Sequence, residues 1–148
     1  MDVQYSKKFN AWLARQNDAD FDKIYDFVQH LETKGFEGLQ GRNKNSNEAN
    51  TNKRDFLAKA EYANKFHLWH YHIGIPSYIK QNRYKKYEFG DYVSEFIIHY
   101  QIVDADTVKL IKLDNHKPFS MPDEAELKER FETLVKSFSL LQEKIKSL

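Results

Sequence analysis

The apolar residues of this chain change their spacing along the sequence, and this change limits the folds that it can adopt. Between residues 20 and 34, DFDKIYDFVQHLETK, they recur every three or four positions, as on one face of a helix. Between residues 66 and 113 they fall in short runs that are rich in aromatic and β-branched residues, as in strands. Helical and strand-forming segments are therefore separated along the chain, which is typical of an α+β fold.

Two helices are predicted near the start of the chain. The longer one covers residues 20–34, because its apolar residues follow the i, i+3, i+4, i+7 and i+10 positions of one helical face: Phe21, Ile24, Tyr25, Val28 and Leu31. Asp18 or Asp20 can cap its start, and Gly35 can end it. A shorter helix is predicted over residues 7–15, so the two would form a helical hairpin joined near residues 17–18.

Three strands and a last helix are predicted after a polar stretch at residues 38–53, GLQGRNKNSNEANTNK, which reads as a long loop. The strands cover residues 66–73, 92–101 and 107–113, and the last two form a hairpin. The helix begins at Pro122-Asp123 and runs nearly to Leu148. We expect one domain, residues 1–148, in which two N-terminal helices pack on an antiparallel sheet of three to four strands, with an added C-terminal helix over 123–148.

Composition limits the metal sites and cross-links that the protein can contain and the compartment in which we expect it. The chain has no cysteine, which excludes disulfide bonds and thiolate metal sites. No apolar run approaches the roughly 18 residues that span a bilayer. The first residues, MDVQYSKKFNAW, lack the apolar core of a signal peptide. We therefore expect a soluble, cytoplasmic protein with no membrane partner.

The net charge of +1 is unevenly distributed along the chain. Residues 41–90 hold ten basic and four acidic residues, a net charge of +6, whereas residues 1–40 carry −2 and residues 91–148 carry −3. This basic middle is either chance clustering on solvated faces or a local surface that binds anions.

The segment KFHLWHYHIG, residues 65–74, holds three of the six histidines. On a strand, alternate side chains share a face, so His70 and His72 lie together while His67 lies on the other face. Two imidazoles at this spacing can share a zinc ion, with His99 or His116 as a third ligand. They can also be half-buried, hydrogen-bonded strand residues, or they can act as a general acid or base.

The chain also supplies cations and aromatic rings close to these histidines in the sequence. The segment KQNRYKKY, residues 80–87, interleaves the two, which suits single-stranded RNA, because bases stack on rings and phosphates pair with Lys and Arg. A solvated hairpin loop is the alternative reading. The candidate phosphate-binding residues are Arg54, Arg83, Lys85 and Lys86. His116 follows the third strand at a turn, a position that is held by a rigid scaffold yet exposed, where functional groups are common.

Taken together, the pattern resembles the RelE/ParE superfamily of bacterial toxins. The pieces that carry the resemblance are the two N-terminal helical segments, the stretch Gly38-Leu39-Gln40-Gly41-Arg42, the strands LWHYHIG, EFIIHYQI and TVKLIKLDNH, and the strand end Asn115-His116-Lys117-Pro118-Phe119. The resemblance covers about residues 5–120. It implies a curved antiparallel sheet with the C-terminal helix as an extension.

The resemblance also implies an activity: cleavage of mRNA without a metal or other cofactor, on the ribosome or free of it, with a cognate antitoxin as protein partner. His116 would be the general acid or base, Phe119 would stack on a base, and Lys117 would contact phosphate. His70, His72, His99 and Tyr100 are further catalytic candidates. The Arg of the family's Y-R-x-x-Y pattern is absent here, where the chain has Ile97-Ile98-His99-Tyr100.

The sequence thus favours an mRNA-cleaving toxin of a type II toxin–antitoxin pair. Two alternatives stay open. The first is a non-nucleolytic module that inhibits gyrase, as the ParE branch does, or that binds another protein, because fold alone does not fix activity. The second is a metal-dependent enzyme that uses His70, His72 and His99.

Overall fold

A computed structural model describes residues 1–48, 56–80, 90 and 92–128, together with the backbone at 131–132. Its elements, in chain order, are β1 (Asp2–Ser6), α1 (Lys7–Leu13), α2 (Asp18–Lys34), β2 (Asn43–Asn45), a 3-10 turn (Ser46–Glu48), α3 (Phe56–Phe66), β3 (Leu68–His72), β4 (Ile79–Lys80), β5 (Tyr92–Val93), β6 (Phe96–Asp104), β7 (Thr107–Asn115), α4 (Glu124–Lys128) and β8 (Phe131–Glu132). The expected α+β class is confirmed. No helix among the described residues is both long enough and apolar enough to cross a membrane.

The main sheet has six strands in the order β2-β3-β6-β7-β1-β8, more than the three or four that the sequence predicts. Strands β3, β6 and β7 are antiparallel neighbours, and the predicted hairpin of β6 and β7 is confirmed. The N-terminal strand β1 lies parallel to β7 and antiparallel to β8, so the sheet is mixed. A separate two-stranded ladder joins β4 and β5.

Helices α1 and α2 cover one face of this sheet, as predicted. The Ser6 side chain caps α1, and the amide of Gly35 ends α2 by donating to Leu31, as predicted for Gly35. The start of α2 is capped by Asn17, whose side chain accepts from the Asp20 amide, so the predicted cap at Asp18 or Asp20 is wrong. The apolar stripe of α2 is buried against the sheet: the Phe27 ring stacks on the ring of Tyr71 in β3, with 4.4 Å between centroids. An aromatic pair of this kind contributes about 0.5–1.5 kcal/mol beyond its buried area.

A second, smaller core lies on the opposite face of the sheet, where α3 and α4 pack. It is formed by Ala63, Leu68, Ile111 and Leu127. Helix α3 was not predicted from the sequence, because only its Ala63 is fully buried and its helical stripe is weak. It also shortens the predicted strand: Phe66 ends α3, His67 turns the chain with φ 52°, and β3 begins at Leu68.

The C-terminal part of the chain differs from the long helix predicted over 123–148. Asp123 and Glu126 form a reciprocal cap on α4, since each side chain accepts from the other residue's amide. The described part of α4 ends at Lys128, and the backbone at 131–132 pairs with β1 as a strand. A continuous helix over 123–148 is therefore wrong for residues 131–132. The rest of that prediction lies outside the described residues.

Candidate functional site

Three histidines meet on the sheet face that is turned away from α1 and α2. The alternation of β3 puts His70 and His72 on this face, while Tyr71 between them enters the core under α2. His116 follows the end of β7, and its amide donates to the carbonyl of Glu95 at 2.8 Å. Each of the three residues has a ring nitrogen within 4.8 Å of those of the other two. We call these three residues the histidine cluster.

Two serines orient the rings of the β3 histidines. The Nδ1 of His70 is 2.9 Å from the hydroxyl of Ser46 in the 3-10 turn. The Nδ1 of His72 lies against the backbone of Ser94, 3.0 Å from its carbonyl oxygen and 2.9 Å from its amide nitrogen. With the proton on Nδ1, His72 donates to the carbonyl; with the proton on Nε2, its Nδ1 accepts from the amide. Both serines are themselves buried, so these contacts fix the ring planes.

His99 and Phe119 border the cluster. His99 of β6 is directly opposite His70 of β3, and their ring centroids are 6.4 Å apart. It is completely buried, and neither of its ring nitrogens has a hydrogen-bond partner among the described residues. The Phe119 ring packs against both, 4.9 Å from His70 and 5.5 Å from His99. Phe119 therefore closes one side of the cluster with an apolar surface.

Burial lowers the pKa of all four histidines, because desolvation disfavours the imidazolium ion. The pKa falls to about 2 for His70 and to about 4 for both His72 and His99. For the half-buried His116 the pKa is lowered first by burial and then by the charges of Lys117, Lys44 and Arg42. At neutral pH the four rings are uncharged, the state in which a ring nitrogen accepts a proton or binds a metal.

A cavity of about 440 Å³ opens beside the cluster. His72 and His116 reach it directly, and its rim carries the cations Arg42, Lys44 and Lys117. Lys44 of β2 is directly opposite His70 of β3, so it is held on the same face as the histidines. The wall is completed by Ile79, Val93, Ser94 and Glu95. Among the described residues, three cations against one carboxylate favour an anionic ligand in this cavity.

The structure brings together only some of the residues that the sequence singles out. His70, His72, His99, His116, Lys117 and Phe119 are at or beside the cluster. Tyr100 is not: it is fully buried in the core on the helical side, its hydroxyl donates to Asn43 at 2.6 Å, and burial raises its pKa. We therefore exclude Tyr100 from the site. Arg54, Arg83, Lys85 and Lys86 lie outside the described residues.

Four residues of the site were missed by the sequence reasoning: Arg42, Lys44, Ser46 and Ser94. The first two belong to the stretch that was read as a polar loop. Their spacing of two residues was the available signal, because Arg42 and Lys44 share a face once β2 pairs with β3. Nothing local marks Ser46 or Ser94, because their roles come from contacts with β3.

No protein-family model, curated protein or solved structure matched this chain. The function must therefore be argued from the geometry of the cluster and its cavity.

Proposed function

We propose that the protein is an endoribonuclease, and that RNA is cleaved in the cavity beside the histidine cluster. The observation that carries the proposal is the placement of two uncharged imidazoles, the buried His72 and the half-buried His116, at the wall of a cavity that is also lined by Arg42, Lys44 and Lys117. A phosphodiester is an anion, and its cleavage requires both charge stabilisation and proton transfer. The cavity offers cations for the first. For the second, an imidazole lone pair takes the proton of the 2′-hydroxyl, and the imidazolium so formed passes a proton to the 5′-oxygen as it leaves, which gives a 2′,3′-cyclic phosphate and a 5′-hydroxyl.

The chemistry of RNA fits this arrangement. The 2′-hydroxyl loses a proton as it attacks the adjacent phosphorus, and the 5′-oxygen that leaves must gain one. Charge builds up on the phosphate oxygens in the transition state, where preorganised cations stabilise it. The scissile phosphate would lie against Lys44 and Arg42, with its reacting edge toward His72 and His116.

The cellular role that we propose is that of a toxin in a toxin–antitoxin pair, with mRNA as target and a cognate antitoxin as inhibitor. Support comes from the resemblance of the sequence to the RelE/ParE superfamily. The described architecture is compatible with it: a helical hairpin lies on one sheet face, and a strand-end histidine, His116, lies at the other. An adjoining gene for a small DNA-binding protein would support the same role.

Inducible expression tests both parts of this proposal. Expression of the unmodified protein should arrest growth, and mapping of RNA 5′ ends should reveal new cleavage sites within messages. His116→Ala should abolish both effects. His30→Ala is the matched control, because His30 lies on α2, on the far side of the sheet. Intact RNA with altered DNA supercoiling would instead favour a gyrase inhibitor, and the absence of arrest would reject the toxin role.

The basic rim allows a separate test with purified protein and an RNA oligonucleotide. Lys44→Gln should weaken RNA binding and reduce the dependence of log Kd on log salt by roughly one unit, as expected for one lost phosphate contact. Lys34→Gln, at the end of α2 on the other face, should change neither quantity. Equal effects of the two substitutions would show that the contacts are non-specific and not confined to this cavity.

A further inference from the structure

The geometry points to a zinc site formed by His70, His72 and His116, which would leave a fourth coordination position open toward the cavity. This site differs from the metal-free acid–base chemistry that the sequence favours. It also differs from the alternative set with His99, because His116 and not His99 completes the group of close nitrogens. Metal binding is inferred from the ligand geometry alone and does not depend on the proposed cleavage of RNA.

The hydrogen bonds of the β3 histidines leave one nitrogen of each ring available. The Nδ1 atoms of His70 and His72 are occupied by Ser46 and Ser94, so their Nε2 atoms are the ones that remain. No described residue donates to or accepts from these Nε2 atoms or from the ring of His116. Histidines that serve only as core hydrogen-bonding groups would use these nitrogens. One ring nitrogen from each of the three histidines lies within 4.8 Å of those of the other two.

The tautomers of His70 and His72 are compatible with metal binding. A histidine that binds a metal through one nitrogen almost always donates its other N–H to a carbonyl, a carboxylate or a water molecule. The Nδ1 of His72 is 3.0 Å from the carbonyl oxygen of Ser94 and 2.9 Å from its amide nitrogen, and a metal on Nε2 would select the tautomer that donates to the carbonyl. His70 can donate to the Ser46 hydroxyl at 2.9 Å in the same way. In these tautomers Nε2 is the metal-binding atom of both residues.

The type and number of the ligands suit zinc. Zinc binds imidazole nitrogen at about 2.0–2.1 Å in tetrahedral sites, so ligand nitrogens lie roughly 3.4 Å apart. The nitrogens here lie within 4.8 Å of one another, so a rotation of the half-buried His116 side chain would bring its nitrogen to binding distance. Three protein ligands with one open position are the pattern of a catalytic rather than a structural zinc site.

The charges around the cluster define the fourth ligand. Three neutral imidazoles leave the double positive charge of the ion uncompensated, and Arg42, Lys44 and Lys117 add more positive charge nearby. An anion is therefore the preferred fourth ligand: hydroxide in the resting state, or an oxygen of a phosphate group that enters the cavity. With zinc bound, the metal hydroxide would take over the role of proton acceptor.

Zinc binding can be tested on the full chain without an RNA substrate. The protein is purified without a polyhistidine tag, stripped with a chelator and titrated with zinc against a chromophoric competitor. We expect one zinc per chain. His116→Ala and His72→Ala should each weaken binding by more than about 100-fold, and Ser46→Ala should weaken it by about 10-fold through the ring of His70. His30→Ala should bind as tightly as the unmodified protein.

Cobalt substitution gives a second readout that does not depend on activity. A tetrahedral cobalt centre absorbs strongly in the visible range, and this absorption should be lost in His116→Gln, whose half-buried position allows the chain to fold. Circular dichroism of each variant checks that the fold is retained. Absence of stoichiometric zinc, or full affinity in folded His72→Ala and His116→Ala, would overturn the site. A growth-arresting protein that binds no zinc would keep the proposed function and reject only this inference.

Discussion

Acid should destabilise the metal-free protein well above the pH at which carboxylates titrate. His70, His72 and His99 stay uncharged in the folded state, because burial lowers each pKa, whereas in the unfolded chain they titrate near 6.5. Below pH 6.5 the unfolded chain therefore binds protons that the folded chain excludes. Stability must fall as the pH drops from 6.5 toward the folded pKa values, and it is fully present only above 6.5.

The size of the effect follows from the same pKa values. Each of the three histidines should lower the free energy of unfolding at pH 5 by about 2 kcal/mol relative to pH 7, because a difference of one pKa unit corresponds to about 1.4 kcal/mol. The three together should lower it by about 6 kcal/mol. This is an upper bound and is comparable with the whole stability of many domains, roughly 5–15 kcal/mol. The charged groups that face the histidines are Arg42, Lys44, Lys112, Lys117, Asp114 and Glu126, of which only the last two favour protonation of His99.

Urea unfolding in the presence of a chelator, followed by tryptophan fluorescence at pH 7, 6 and 5, measures this loss. His99→Leu should reduce the pH dependence by about one third and should not destabilise the protein at pH 7, because neither nitrogen of His99 has a partner in the described part of the chain. His30→Leu should keep the full pH dependence. An unfolding free energy that changes by less than about 1 kcal/mol between pH 7 and 5 would refute the buried, uncharged state of these rings.

Substitutions at Gly41 and Glu126 test the packing around the site. Gly41→Ala should cost more than about 3 kcal/mol in urea unfolding, because an added Cβ would overlap the carbonyl oxygen of His72. At Gly35 an added Cβ would meet no atom within 4 Å, so Gly35→Ala should cost only about 1–2 kcal/mol, from the strain of a side chain at φ 67°. Equal losses for the two substitutions would contradict the close approach at Gly41. Burial raises the pKa of Glu126, but hydrogen bonds from lysines on α1 and β7 outweigh it and lower the pKa to about 2. Glu126→Gln should therefore cost about 1 kcal/mol at pH 7, whereas Glu124→Gln should be near neutral in the same assay.

The anionic substrate and the zinc site can be tested separately. The cavity and its cations support an anionic substrate whether or not a metal is present, and the zinc site can be measured without any substrate. If a chelator abolished RNA cleavage and added zinc restored it, the zinc site would be the site of cleavage. If the protein cleaved RNA in the presence of a chelator, the histidines would act as acid and base without a metal, as the sequence favours.

Local sequence patterns determined much of the fold. The i, i+3, i+4 spacing of residues 21–31 predicts α2 correctly, because that stripe is buried as a unit and Asn17 and Gly35 terminate the helix with their own backbone and side-chain groups. The alternation in β3 correctly places His70 and His72 on one face. Such periods reflect which side of one element is buried, and this can be read without knowledge of its partners.

The tertiary structure alone decided the composition of the site. His116 is 44 residues beyond His72 in the sequence. It reaches the cluster because Ile97 of β6 is opposite both His72 of β3 and Asp114 of β7, which brings the ends of β3 and β7 level across the sheet. Ser46, Ser94, Arg42 and Lys44 enter the site through pairing and packing on β3, which no local period encodes. The sequence by itself therefore determined the sheet face on which chemistry can occur. Long-range pairing decided which side chains meet on it, because contacts between distant segments depend on the whole fold.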